Sequence, residues 1–177
     1  MSRVYLKKAT LTSRSEEGET AKVVAKILAD IEIGGETAAL EYATKFDKYD
    51  GGVHLTIDDI VTASALVPRK IKDDILFAHD NVRRFAEAQK ATVADLEYEI
   101  NPGLIAGQKA IPVTAAGCYV PAGRYRHIAS AIMTVTTAKV AGCEHITVCS
   151  APQPGVGLYP AIVYAAHVCG ADKIMAI

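Results

Sequence analysis

The sequence predicts an α/β protein in which a helical segment, residues 1–112, precedes the opening half of a doubly wound parallel sheet, residues 113–177. Through the first hundred positions, apolar residues recur at helical spacing. After about residue 113, short apolar runs alternate with helical stretches. The resulting order of strand, helix, strand, helix, strand with tight connections predicts parallel pairing and right-handed crossovers.

The N-terminal segment has the pattern of several helices. A capping box, Ser13-x-x-Glu16, begins the first helix, and the pair Gly34-Gly35 ends it. A short helix begins after Thr56, because its hydroxyl and the acidic residues that follow suit a helix amino end. The remaining two predicted helices cover about residues 36–46 and 68–90.

The C-terminal segment has the pattern of a βαβαβ unit. Gly142 and Gly170 occupy positions at which glycine commonly ends a helix. Two extended segments, 98–100 and 104–113, precede the unit as a hairpin. The predicted strands are 117–120, 145–149 and 173–177, and the predicted helices are 127–141 and 158–169. Because the last strand closes on an apolar residue without a covering helix, we expect the chain to belong to a larger protein.

The composition is that of a soluble globular enzyme. Half of the residues are apolar and the formal net charge is −1, so a nucleic-acid partner is disfavoured. No apolar run has the length of a membrane span, and the N-terminus lacks a signal-peptide core. The four cysteines have no metal-ligand spacing, which predicts buried, reduced thiols and a cytoplasmic location. For the histidines other than His127, we expect surface or satisfied structural roles.

The loop after the first strand of the sheet contains the main candidate site. Helix amino ends attract anions, and guanidinium groups add bidentate contacts to phosphate, carboxylate or sulfonate. The pattern is equally compatible with solvated arginines and a tyrosine that packs in the core. The candidate residues are Tyr119, Pro121, Gly123, Arg124, Arg126 and His127.

The rest of the sheet region carries little chemistry. The loop at 150–157 has two prolines and no ionisable group, which favours a wall or spacer. The chain lacks a Gly-x-Gly-x-x-Gly fingerprint, so no motif predicts a dinucleotide. No set of nucleophile, base and orienting group can be assembled. We therefore predict no catalytic residue and no metal ligand within the chain.

Several stretches of the sequence resemble the histidinol dehydrogenase family. The tyrosine loop and the helix after it are the most specific, and the similarity extends over nearly all of the chain. Similar stretches upstream are Ile27–Asp30, Gly34–Tyr42, Lys45–Asp47 and Val82–Phe85. The specific stretches are Gly117-Cys118-Tyr119-Val120-Pro121-Ala122-Gly123, Ile132-Met133 and Ala138-Lys139-Val140-Ala141-Gly142-Cys143.

The resemblance implies a zinc-dependent homodimer with an aldehyde-dehydrogenase-like, Rossmann-like domain. Such an enzyme oxidises a primary alcohol through an aldehyde to a carboxylate with two NAD in succession. Tyr119 matches the family's NAD-contacting tyrosine, with Pro121 and Gly123 beside it. The zinc ligands and the Glu-His bases would lie beyond residue 177, so we expect this stretch by itself to be inactive.

Some residues depart from the family's commonest pattern. Ala122 replaces a glycine, which would hinder a positive φ, and Thr136-Thr137 replaces an Ile-Pro-like pair. The segment from Arg124 to Ser130 is similar to the sulfopropanediol dehydrogenase branch. The substrate is therefore either L-histidinol, oxidised to L-histidine, or 2,3-dihydroxypropane-1-sulfonate, oxidised to sulfolactate. Added positive charge favours the sulfonate.

Two alternatives to a dehydrogenase follow from the residues. One is a stand-alone module that binds an anion or a nucleotide, and the other is a scaffold without catalysis. The family resemblance favours the dehydrogenase acting on a small-molecule alcohol.

Overall fold

The computed structural model describes residues 14–49, 51–123 and 125–177. The predicted capping box at Ser13 and the predicted anion-binding residue Arg124 lie outside them. The chain forms two compact units, Met1–Tyr42 and Ala43–Ile177. The division into domains 1–112 and 113–177 stays a prediction.

The first unit contains most of helix α1, Arg14–Asp47, whose helical backbone is interrupted at Gly35 (φ 58°, ψ −140°). A side chain is disfavoured at this positive φ, which explains the glycine. The predicted end of the first helix at the glycine pair is thereby confirmed. Asp30 accepts hydrogen bonds from Lys26 Nζ at 2.6 Å and from the Tyr42 hydroxyl. The bond from Tyr42 joins the stretch after the interruption to the stretch before it.

The second unit contains four further helices and five strands, in an order that confirms the predicted βαβαβ arrangement. Thr56 and Asp59 form a reciprocal capping box before α2, as the sequence predicts. Gly142 and Gly170 end α4 and α5 in the left-handed region. The elements are α2 (Ile57–Ala65), α3 (Arg69–Ala91), β1 (Leu96–Asn101), β2 (Leu104–Gln108), β3 (Ala115–Val120), α4 (Ile128–Ala141), β4 (His145–Ser150), α5 (Pro160–Cys169) and β5 (Lys173–Ala176).

The parallel sheet has the order β3-β4-β5, with Tyr119 beside Cys149 and Cys149 beside Met175. The segment 53–55 pairs antiparallel with β5, since Leu55 N donates to Ile174 O at 3.0 Å and Ala176 N donates to the Val53 carbonyl at 2.7 Å. This pairing covers the free edge of β5. No strand is predicted for this segment from local pattern, because its partner strand is more than a hundred residues away in the sequence.

The hairpin β1-β2 is exposed along both strands. Its second strand ends at Gln108, so the predicted extension to residue 113 is wrong. The physical reason is twofold. Pro112 has no N–H to donate to a ladder, and the Ala110 amide donates at 3.0 Å to the Asp95 carboxylate.

One face of the parallel sheet forms the core. Alternate residues of each strand are buried on this face, as expected where helices cover a sheet. Helices α4 and α5 pack against each other, and α2 and α3 contact them. The buried strand residues are Cys118, Val120, Ile146, Val148, Ser150, Ile174 and Ala176.

The predicted burial of the cysteines is confirmed for Cys118, Cys143 and Cys169. All four are free thiols, three of them buried and Cys149 half-buried. None of the helices in the described ranges is both long enough and apolar enough to cross a membrane.

Candidate functional site

The loop 121–127 connects β3 to α4 at the carboxyl edge of the parallel sheet. The buried hydroxyl of Ser150, at the end of β4, donates to the Val120 carbonyl at 2.7 Å. The His127 amide donates to the Pro121 carbonyl at 3.1 Å and brings the two ends of the loop together. Ligands of open parallel sheets bind beyond this edge. The fold therefore places the loop where the sequence predicted a site.

Tyr119 projects from the open face of the sheet, opposite the core. Its side chain is 59% exposed, so it does not pack in the core of its unit, which was the structural alternative. On the same face, Cys149 lies beside it in register, and burial raises the pKa of the Cys149 thiol. An exposed aromatic ring at the carboxyl edge is available to stack on a planar ligand group.

Ala122 and Gly123 behave differently from the expectation based on the family pattern. Ala122 is buried in the core cluster, and among the described residues other than glycine only Lys48 has a positive φ. The methyl group of Ala122 therefore fills space without backbone strain. Gly123 is exposed, and nothing lies within 4 Å of the position a Cβ would take. A ligand can approach the backbone closely at Gly123.

Arg126 contacts two side chains of the segment that follows β4. The amide oxygen of Gln153 accepts hydrogen bonds from Arg126 Nε at 3.0 Å and from Nη2 when the amide is oriented for hydrogen bonding. The guanidinium carbon lies 5.7 Å from the centroid of the Tyr159 ring, within cation–π range. Arg126 of the loop after β3 therefore contacts two residues of the segment after β4. This segment does more than separate β4 from α5.

Two backbone amides at the amino end of α4 are already paired and are not free to bind an anion. The Ile128 amide donates to the Arg126 carbonyl at 3.1 Å, and the Ser130 amide donates to the His127 carbonyl at 2.9 Å. The His127 side chain is exposed and makes no capping hydrogen bond. Positive charge at this site therefore comes mainly from guanidinium rather than from the backbone.

Two groups near the site were not found by sequence reasoning. Gln153 and Tyr159 are polar residues after β4, and parallel neighbouring strands bring their following loops together. This adjacency was the available signal. Because the loop at 150–157 has no ionisable group, its sequence predicts only a wall or spacer.

A partly buried polar cluster lies between α3, α4 and α5. His79 Nδ1 of α3 lies 2.9 Å from the hydroxyl of Thr136 on α4. Burial raises the pKa of the Cys169 thiol of α5, and the Thr136 hydroxyl offsets part of this rise. His79 thus has the satisfied structural role that was predicted. His145 and His167 are exposed. Within the described ranges, no group of three or more histidine, cysteine or carboxylate side chains could hold a metal ion.

The described residues form an α/β protein with a candidate ligand site at the carboxyl edge of a parallel sheet. The histidinol dehydrogenase family model matches residues 11–177. The chain belongs to the histidinol dehydrogenase family, and its named relatives are oxidoreductases.

Comparison with individual proteins shows several relatives. The chain is 68% identical to a sulfopropanediol 3-dehydrogenase of Ruegeria pomeroyi, over 98% of the chain and 40% of the relative. It is 48% identical to a histidinol dehydrogenase homolog of the same organism, over 100% of the chain and 41% of the relative. It is 36% identical to the histidinol dehydrogenase of Methanosarcina barkeri, over 88% of the chain and 36% of the relative. The chain therefore spans about two fifths of the length of these curated relatives.

A solved structure supports the fold. The crystal structure of histidinol dehydrogenase from Elizabethkingia anophelis matches with a TM-score of 0.81 at 28% sequence identity, over 97% of this chain and 38% of that one. The predicted α/β fold is thereby confirmed.

Proposed function

We propose that these residues are part of a dehydrogenase that oxidises 2,3-dihydroxypropane-1-sulfonate through the aldehyde to sulfolactate. The observation that carries the proposal is Arg126, whose exposed guanidinium is oriented by an amide and a ring and meets no described carboxylate within 4 Å. Planar guanidinium suits the oxygens of a sulfonate. L-Histidinol is a cation, which Arg126 would repel.

The relatives support the same choice of substrate. Identity is 68% to the sulfopropanediol dehydrogenase but 36% to the Methanosarcina barkeri histidinol dehydrogenase. Arg124 adds a second positive charge to the loop by its place in the sequence. Both arginines and His127 are proposed to receive the anionic end of the substrate.

NAD is the proposed oxidant, and it would accept a hydride in each of the two oxidation steps. Tyr119 fits a role in holding it, because its ring is exposed at the carboxyl edge, and the backbone at Gly123 is open to close approach. Pro121 holds the loop in place, since its carbonyl accepts the His127 amide. These residues would bind and orient the cofactor.

For zinc, unlike NAD, no binding residues are proposed among the described ones. The described residues provide no cluster of ligands for it, so no step is assigned to a metal on these residues. The homodimer, the cytoplasmic location and the inactivity of this stretch by itself also remain proposals.

The test compares both alcohols with a complete enzyme that carries this sequence. NADH formation is followed at saturating NAD, and kcat/KM is determined for the sulfonated diol and for L-histidinol. We expect kcat/KM to be at least about tenfold higher for the sulfonated diol, since a hydrogen-bonded charge contributes this much or more. Turnover of histidinol without turnover of the sulfonate would refute the proposal.

A further inference from the structure

Gln153 lies at the base of a tight turn that two backbone hydrogen bonds close. The backbone N–H of Gln153 donates to the backbone carbonyl of Gly157 at 2.9 Å, and the backbone N–H of Gly157 donates to the backbone carbonyl of Gln153 at 3.0 Å. Gly155 and Gly157 adopt positive φ values of 67° and 85° within this turn. The backbone of Gln153 is thus fixed from both sides, so its side chain presents the amide from a defined position.

Tyr159 is also anchored, at the start of α5. It is the N-cap residue, and its carbonyl accepts the amides of Ile162 at 2.9 Å and Val163 at 3.2 Å. The ring lies beside the Arg126 guanidinium. Two side chains that extend from well-bonded backbone positions therefore contact the long Arg126 side chain.

The partners of Arg126 differ in charge from those of the other arginines whose side chains are described. On α3, Arg69 pairs with Asp73, and Arg83 and Arg84 both pair with Asp80. Arg126 instead meets a neutral amide and a neutral ring. Neutral partners restrict the guanidinium without cancelling its charge, so the remaining N–H groups can bind an incoming anion.

We infer that Gln153 and Tyr159 are positioning residues that hold Arg126 ready for the sulfonate of the substrate. This inference rests on the proposed function of Arg126 as the anion-binding residue. Its physical basis is preorganisation, because an arginine that is already ordered loses less conformational freedom when the anion binds.

The test uses a complete enzyme with this sequence and two readouts. One is the KM for 2,3-dihydroxypropane-1-sulfonate. The other is the inhibition constant of propane-1-sulfonate, which has the anion but no hydroxyl to oxidise. Gln153→Glu places a carboxylate of equal size on Arg126 and occupies it. We expect both constants to rise about tenfold or more, while kcat and the KM for NAD change less than about twofold.

Tyr159 is tested with a matched pair of variants. Tyr159→Leu removes the ring, and we expect both constants to rise several-fold. Tyr159→Phe keeps the ring and should restore values close to those of the parent enzyme. Circular dichroism and unchanged KM for NAD show that each variant is folded. If Tyr159→Leu and Gln153→Glu both leave the inhibition constant unchanged, the inference is wrong.

Arg126→Gln distinguishes the proposed anion binding by Arg126 from the positioning role of Gln153 and Tyr159. If this variant does not raise the inhibition constant of propane-1-sulfonate, Arg126 does not bind the anion, and the proposed recognition fails together with the inference. If it raises the constant while the Gln153 and Tyr159 variants do not, only the positioning role is overturned. If all three raise it, the positioning role is supported.

Discussion

The Nδ1 atom of His79 lies 2.9 Å from the hydroxyl oxygen of Thr136, and this contact joins α3 to α4. Thr136 is only 1% exposed, so its hydroxyl depends on protein partners. The cluster that it forms with His79 and Cys169 lies in the helical layers over the sheet. Two predictions about the stability of the folded protein follow from this cluster.

The first prediction concerns pH. Burial lowers the pKa of His79 below its ordinary value, and the nearby charge of Arg83 lowers it further. The folded protein therefore favours neutral His79, and the contribution of this residue to stability is complete above about pH 6.5. As the pH falls through the range between 6.5 and the lower folded pKa, that contribution declines. Urea unfolding at a series of pH values measures it.

A variant whose side chain does not ionise at position 79 provides the control for this pH effect. In His79→Gln, the amide can still meet the Thr136 hydroxyl but does not titrate. The decline of the urea midpoint between about pH 7 and about pH 5 should therefore be smaller in the variant than in the parent. An identical decline in both proteins would show that His79 is not responsible.

The second prediction concerns the buried hydroxyl. Thr136→Val keeps the shape of the side chain but removes the hydroxyl that lies against His79. We expect the free energy of unfolding to fall by about 1–2 kcal/mol. Thr137→Val is the matched control, because Thr137 is exposed and its hydroxyl bonds the Met133 carbonyl of its own helix. Its effect should stay within about 0.5 kcal/mol, and equal losses in both variants would contradict a special role of Thr136.

The third prediction concerns the end of α4. Gly142 has φ 104°, where an L side chain is strained, whereas the 3.5 Å from a Cβ to Pro112 Cγ is an ordinary van der Waals distance. Gly142→Ala should lower the free energy of unfolding by about 1–2 kcal/mol. Gly123→Ala, where space is open, should change it by less than about 0.5 kcal/mol. Urea unfolding of both variants distinguishes local strain from a general effect of adding a methyl group.

The fourth prediction concerns the bond between the ends of β3 and β4. Ser150→Ala removes the donor to the Val120 carbonyl in a site with no exposure of either residue. The expected loss is about 1–3 kcal/mol in the free energy of unfolding. Ser130→Ala is the comparison, since that side chain is only half-buried. A loss no larger than that of the comparison variant would mean that water or another group replaces the missing donor.

Much of the fold and part of the site could be predicted from local pattern. The Thr56 capping box, the break at Gly35 and the glycine ends at 142 and 170 depend on neighbours within one or two turns. Strand alternation likewise follows from adjacent residues. The position of Tyr119 at the end of β3 was therefore accessible without coordinates. The apolar residues up to 113 predict a longer second hairpin strand than the structure has, because Pro112 cannot donate to a strand ladder.

The sequence by itself determined the order of helices and strands, their caps and the loop that carries Tyr119 and Arg126, because these depend on short-range chemistry. Only the tertiary structure decided which distant groups meet. It brought Gln153 and Tyr159 to Arg126, paired segment 53–55 with β5, and placed Thr136 against His79. Crossover connections and helix packing set these contacts, and no pattern of neighbouring residues encodes them.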